Sequence, residues 1–181
     1  TKAETDEKYL ELMQPYAATG KVGMFLNAKR YRQKYVELAA ANHLAFLRVG
    51  VDADEPDLAL EPIRAIKARG VKAIKVIKKN GMKAFYSAMK AYIVSPEELA
   101  ESAKKLEAAG LDEFTIMDSA GCMLPDEVEK TVELLTKSVS IPIAFHCHNN
   151  LALSAANALA AYRGGASVLD GGLMGMARSA G

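Results

Sequence analysis

Two histidines two residues apart, in Ile141-Pro142-Ile143-Ala144-Phe145-His146-Cys147-His148-Asn149-Asn150, are the residues best placed to do chemistry. An apolar run of this kind reads as a short buried strand, and successive strand side chains point to opposite faces. His146 and His148 therefore share one face while Cys147 turns away. Two imidazoles one strand repeat apart can chelate a single divalent cation; two hydrogen-bonded histidines at a strand end is the alternative. Neutral imidazoles completed by oxygen ligands suit manganese, cobalt, iron or zinc better than calcium. A third ligand, of carboxylate type, is then required. Asp118 and Asp170 qualify by location, although each also fits a turn or helix-cap role. Ser119 could donate to a substrate oxyanion or carboxylate near a helix N-terminus, or cap that helix. Arg48 lies inside an apolar strand, where an unpaired charge is costly, so it must meet a carboxylate or reach into the site.

Other chemistries lack their residues. No Gly-x-Ser-x-Gly elbow occurs, and nothing local activates Cys122. The run from Gly171 to Gly181 is glycine-rich but has neither phosphate-loop nor dinucleotide spacing. His43, between a helix and a strand, reads as structural, and the eight methionines as core.

These groups must be carried by the elements around them. Strand-like runs span Val22 to Leu26, Leu44 to Val51, Ala84 to Met89, Glu113 to Met117, Pro142 to His148 and Ser167 to Asp170. Helical periodicity fills the intervals at Tyr31 to Ala41, Pro96 to Ala109, Pro125 to Ser138 and Leu151 to Arg163. Ser95-Pro96-Glu97-Glu98 supplies a cap, a first-turn proline and first-turn acids, and Gly110 and Gly164-Gly165 are stops. Leu58 to Asn80 reads as mostly helix, with a short strand as the alternative. Strand and helix in alternation imply a parallel sheet covered by helices, and ligands then bind at the C-terminal strand ends. Asp52, Asp118, Ser119, His146, His148 and Asp170 all fall there. The rhythm alone slightly favours an open doubly wound sheet, because a (β/α)8 barrel usually takes about 250 residues.

The 181 residues suffice for one domain with a real core. A net charge of +1 gives no reason to expect nucleic acid or an anionic membrane as partner. Two cysteines without zinc or redox spacing, no long apolar span and no leader predict a reduced, soluble, cytoplasmic protein. Neither end resembles a natural domain boundary.

His146-Cys147-His148-Asn149-Asn150 and the helix after it resemble the seventh strand and following helix of the DRE-TIM metallolyases. Asp118-Ser119-Ala120-Gly121-Cys122-Met123-Leu124-Pro125 resembles the sixth-strand motif of that superfamily, and Asp170 to Gly181 its eighth-strand glycine loop. Thr5 to Leu10 and Asn80 to Lys83 are similar to segments of its 4-hydroxy-2-oxovalerate aldolase branch. The resemblance implies a (β/α)8 TIM barrel, with residues 1–181 forming a single aldolase-type domain incomplete at both ends, from about the second helix to the eighth strand. It implies a divalent-metal-dependent aldolase that cleaves a 4-hydroxy-2-oxo acid to pyruvate and an aldehyde through a metal-stabilised enolate. His146 and His148 would hold the metal, manganese foremost, with magnesium, cobalt or zinc as alternatives. Ser119, Asp118 and Arg48 would bind the 2-oxo acid substrate. An oligomer and an acylating aldehyde dehydrogenase subunit are the partners implied. In the family an aspartate completing the metal site and an arginine lie on the first strand, yet no Asp-x-x-Leu-Arg-Asp-Gly-like segment occurs here. Arg178 stands where the aldolases commonly have a small residue. A Claisen-type acyl-CoA synthase or lyase of the same superfamily is the second reading. A non-catalytic barrel binding a 2-oxo acid or a protein is the third.

Overall fold

The computed structural model describes residues 5–16, 20–73 and 81–172. After helix α1 (Asp6–Met13), strands and helices alternate: β1 (Gly23–Asn27), α2 (Gln33–Ala41), β2 (Phe46–Asp52), α3 (Leu60–Ala73), β3 (Lys83–Met89), α4 (Pro96–Ala108), β4 (Glu113–Asp118), α5 (Pro125–Ser138), β5 (Ile143–Cys147), α6 (Ser154–Arg163) and β6 (Val168–Asp170). The long second interval is helical from Leu60 to Ala73, and the rest of the ambiguous stretch, 74–80, lies outside the described residues. Local chemistry explains the helix ends. Ser95 Oγ accepts from Glu98 N–H while the Glu98 carboxylate accepts from Ser95 N–H, a reciprocal box that starts α4. His43 takes the left-handed conformation just past α2 (φ 57°) and returns its N–H to Ala40, in keeping with its structural reading.

All six strands are parallel, and their spatial order is their chain order. A doubly wound sheet reverses order at a switch point, so this sheet is not one. It winds one way, as an arc of a (β/α)8 barrel. Alternation sorts the side chains by face. Val49, Val51, Tyr86, Ala88, Phe114, Ile116, Ile143 and Phe145 are buried on the outer face beneath the helices, which contribute Val36, Ile63, Ile66, Leu106, Val132 and Leu135 to the same core. The inner face carries Arg48, Ser87, Glu113, Thr115, His146 and Asp170.

Register measures the curl. Gly50, Ser87, Thr115, Ala144 and Val168 lie level across β2 to β6. Arg48 is two residues before that line and Asp170 two after it, yet the guanidinium and the carboxylate form an ion pair. In a flat sheet four strand steps would separate them by about 19 Å. They meet because the sheet closes toward a barrel, and an offset of one residue per strand is the stagger of an eight-stranded barrel of shear eight. Among the described residues no helix is long and apolar enough to cross a membrane.

Candidate metal centre

Strand β5 brings its polar residues out at its C-terminal end. His146 pairs in register with Met117 on one side and Asp170 on the other. His146 Nε2 lies 3.3 Å from His148 Nε2, with the two rings edge to face. Two nitrogens converging in this way can be ligands to one cation. His146 Nδ1 is buried and makes no hydrogen bond of good geometry, and the atom that faces it is Asp170 Oδ2 at 3.4 Å. A carboxylate behind Nδ1 is the usual support of a metal-bound imidazole, because a proton kept on Nδ1 leaves the Nε2 lone pair for the metal. The donor set fits a divalent cation of the borderline class. By sequence Asp170 was a candidate third ligand; its place behind the His146 ring is a different one.

Asp170 is itself pinned. Arg48 Nη1 donates to Asp170, and Arg48 Nη2 donates to Glu113 Oε1 at 3.3 Å. The neighbouring His146 ring and the Arg48 charge outweigh burial and hold the Asp170 carboxyl down to about 2. Glu113 goes the other way: burial pushes it up, Arg48 pulls it partly back, and the neighbouring Asp170 charge raises it again. The demand that the in-strand arginine find a carboxylate is thus met twice. Its fork is occupied by carboxylates, so a substrate would meet Arg48 only in competition with them.

Asp118 is the site residue that the structure moves. It is level with Cys147 and shares the outer phase of Phe114 and Ile116, away from the histidines. The side chain is fully buried and its oxygens accept from Cys122 N–H and Met123 N–H, both at 3.1 Å. It braces the turn instead of facing a ligand. Counting in twos from the apolar Phe114 and Ile116 would have put it there. Ser119 stands at the rim, and its Oγ accepts from the backbone N–H of Lys90, a left-handed residue (φ 54°) after β3, at 2.9 Å. Its hydroxyl hydrogen is a separate donor. Cys147 points away from the histidines as expected, and burial, with Asp118 nearby, raises its thiol.

The braced turn also sets the histidine loop. Gly121 has φ +61°, and a Cβ there would come within 2.7 Å of Asn150 N and of His148 O. Leu151 N–H donates to Gly121 O at 3.3 Å, and Asn157 Nδ2 on α6 donates to Met123 O at 2.9 Å. On the same rim the carboxylates of Asp52, Asp54 and Glu55 lie within 4.8 Å of one another. Lys90 Nζ, 3.0 Å from Asp52, and Lys29, paired with Glu55, already answer much of that charge.

Comparison with known proteins agrees with the motifs. The HMGL-like family matches residues 59–181. A 4-hydroxy-2-oxovalerate aldolase of Carboxydothermus hydrogenoformans is 35% identical over 179 residues, covering 99% of this chain and 50% of that protein. An oxaloacetate decarboxylase of Mycobacterium tuberculosis is 31% identical over 180 residues, again 99% of this chain and 50% of the relative. The chain spans about half the length of the curated relatives it matches. Among solved structures, the carboxyl transferase domain of Rhizobium etli pyruvate carboxylase superposes with a TM-score of 0.77 at 19% identity, over 93% of this chain and 29% of that one. That likeness is one of fold. The sequence match is one of descent: the chain belongs to the HMGL-like family, the kinship to which its histidine and glycine motifs pointed.

Proposed function

We propose that the protein is a divalent-metal-dependent aldolase that cleaves a 4-hydroxy-2-oxo acid to pyruvate and an aldehyde. The observation that carries this reading is the convergence of His146 and His148 Nε2 at the C-terminal end of β5, with a carboxylate behind one ring. Relatives named 4-hydroxy-2-oxovalerate aldolase support the reaction class. Manganese is the first choice of metal, with magnesium, cobalt or zinc as alternatives. A cation held by His146 and His148 would supply Lewis-acid stabilisation of the negative charge that develops on the 2-oxo oxygen as the C3–C4 bond breaks.

The chain's own residues would do three things. The two imidazoles hold the centre at the open ends of the strands, where a small acid can enter. Ser119, fixed through Lys90 N–H, offers its hydroxyl hydrogen to the substrate carboxylate. The inner-face charges Glu113, Arg48 and Asp170 keep the floor of the site in one arrangement. The proton on the 4-hydroxyl needs a base, which by the resemblance belongs to the first-strand motif. An acylating aldehyde dehydrogenase subunit would be the consumer of the reactive aldehyde, in a cytoplasmic oligomer.

The test is pyruvate release from 4-hydroxy-2-oxopentanoate by the full-length protein, with and without manganese. Manganese-dependent pyruvate is expected; none from the metal-loaded protein overturns the aldolase reading. The oxaloacetate decarboxylase relative favours a second reading, in which the same C3–C4 bond breaks with loss of carbon dioxide. Pyruvate from oxaloacetate but not from the hydroxy acid would select it. Release of free thiol from an acyl-CoA plus a 2-oxo acid would select Claisen chemistry instead.

A further inference from the structure

Asp170 has two commitments that together give it a direction. Its carboxylate is bonded to Arg48 and faces Nδ1 of His146 at 3.4 Å. The two nitrogens of one imidazole point in diverging directions, so a carboxylate at Nδ1 stands behind the ring and not among the ligands at Nε2. Arg48 is only 18% exposed and is held on its other side by Glu113, so the guanidinium stays in place and Asp170 cannot swing away without giving up its ion pair with it.

We propose that Asp170, anchored by Arg48, is the positioning residue of the metal centre: it keeps the proton of His146 on Nδ1 and so aims the Nε2 lone pair at the cation. This rests on the metal-binding reading above, but it also makes a statement about the metal-free protein. With Nδ1 protonated, His146 Nε2 is an acceptor, and the neighbouring His148 Nε2 at 3.3 Å becomes the donor. The two rings then hold opposite tautomers in the metal-free protein, and binding a cation through both Nε2 atoms requires His148 to carry its proton on Nδ1 instead. Arg48 thereby acquires a role two steps from the cation, through Asp170 and the ring of His146. Neither residue touches the reacting atoms.

The test uses histidine tautomers, read from long-range imidazole proton–nitrogen correlations of the metal-free full-length protein at about pH 8. His146 is expected as the Nδ1–H form, and Asp170→Asn is expected to shift it toward Nε2–H. Manganese affinity, measured from the spin resonance of the free ion, should fall about 10- to 100-fold in the same variant. Should Asp170→Asn fail to fold, Arg48→Lys, which keeps the charge but loses the two-pronged fork, should move both readouts the same way by less. A wild-type His146 carrying its proton on Nε2, or a tautomer unchanged in the folded variants, overturns the proposal. If the wild type binds no manganese, the metal reading falls, while the tautomers still decide the part assigned to Asp170.

Discussion

His148 and His146 contribute one nitrogen each to the candidate centre, so removing either should weaken its affinity for a cation by more than about a hundredfold. Manganese at a hundredfold excess over its dissociation constant stabilises the folded state by about 2.7 kcal/mol. The full-length protein is therefore expected to melt at a higher temperature with manganese, and His148→Ala to melt at the same temperature with and without it. A second charged residue, at the opposite end of β4, bears on stability alone. Asp112 takes Ala84 N–H at 2.9 Å and the Lys67 and Lys83 ammoniums at 2.8 and 3.2 Å. Burial raises its carboxyl, but Lys67, the Ala84 N–H and Lys83 together bring it below its ordinary value. A carboxyl lowered in the fold stabilises it in full above its unfolded pKa of about 3.9, and that contribution is lost as pH falls through the folded value. Asp112→Asn should cost about 1–2 kcal/mol in urea titrations near neutral pH, and the gap from wild type should narrow as pH falls below about 3.9. The histidine pair was readable from strand alternation alone, because a period of two fixes which residues share a face. The same rule, begun from Phe114 instead of from the strand's end, turns Asp118 outward.

Elements transmit these positions through two loops that touch. The turn after β4 and the loop after β5 meet at Gly121, where the left-handed backbone and the contact at 2.7 Å with His148 O leave no space for a side chain. A left-handed non-glycine residue costs about 1–2 kcal/mol before any clash. Gly121→Ala is expected to lose more than about 2 kcal/mol of stability in urea and to weaken manganese binding together with it, since His148 moves when its carbonyl does. Gly171→Ala is the control: among the described residues nothing lies within 4 Å of its Cβ position, and stability should stay within about 0.5 kcal/mol of wild type. A control that falls as far as Gly121→Ala would remove the contact argument. Helix boundaries were readable because caps are local: Ser95, Pro96 and Glu98 lie within four residues of one another. The Gly121 contact was not, because its partners Asn150 and His148 come from the next βα unit, and it is the parallel pairing of β4 with β5 that sets the two turns side by side.

At the scale of the whole molecule, one arginine joins three alternate strands. Arg48 on β2 reaches Glu113 on β4 and Asp170 on β6, a sequence separation of 122 residues for the longer pair. The strand rhythm announced a parallel sheet but could not choose between open and closed forms, since both alternate strand and helix. The choice shows only in three dimensions, in the chain-order winding and in an ion pair that a flat sheet cannot make. Removing the cation leaves two carboxylates facing each other with little water, Glu113 being 9% and Asp170 25% exposed. Arg48→Met is expected to cost about 3–5 kcal/mol near neutral pH, because breaking a buried ion pair is more damaging than never having built it. The deficit again shrinks as pH falls, but for the opposite reason to that of Asp112. Burial already lifts the Glu113 carboxyl, and loss of Arg48 removes the group that pulls it back down. A carboxyl raised in the fold destabilises it while charged, so the deficit of Arg48→Met should shrink as pH falls through the folded value of Glu113. Adding Glu113→Gln to Arg48→Met should recover part of the loss at neutral pH and flatten this pH dependence. Urea titrations of the single and double variants across that range check the argument, and a double variant no more stable than Arg48→Met would mean that Glu113 carries no uncompensated charge when Arg48 is gone.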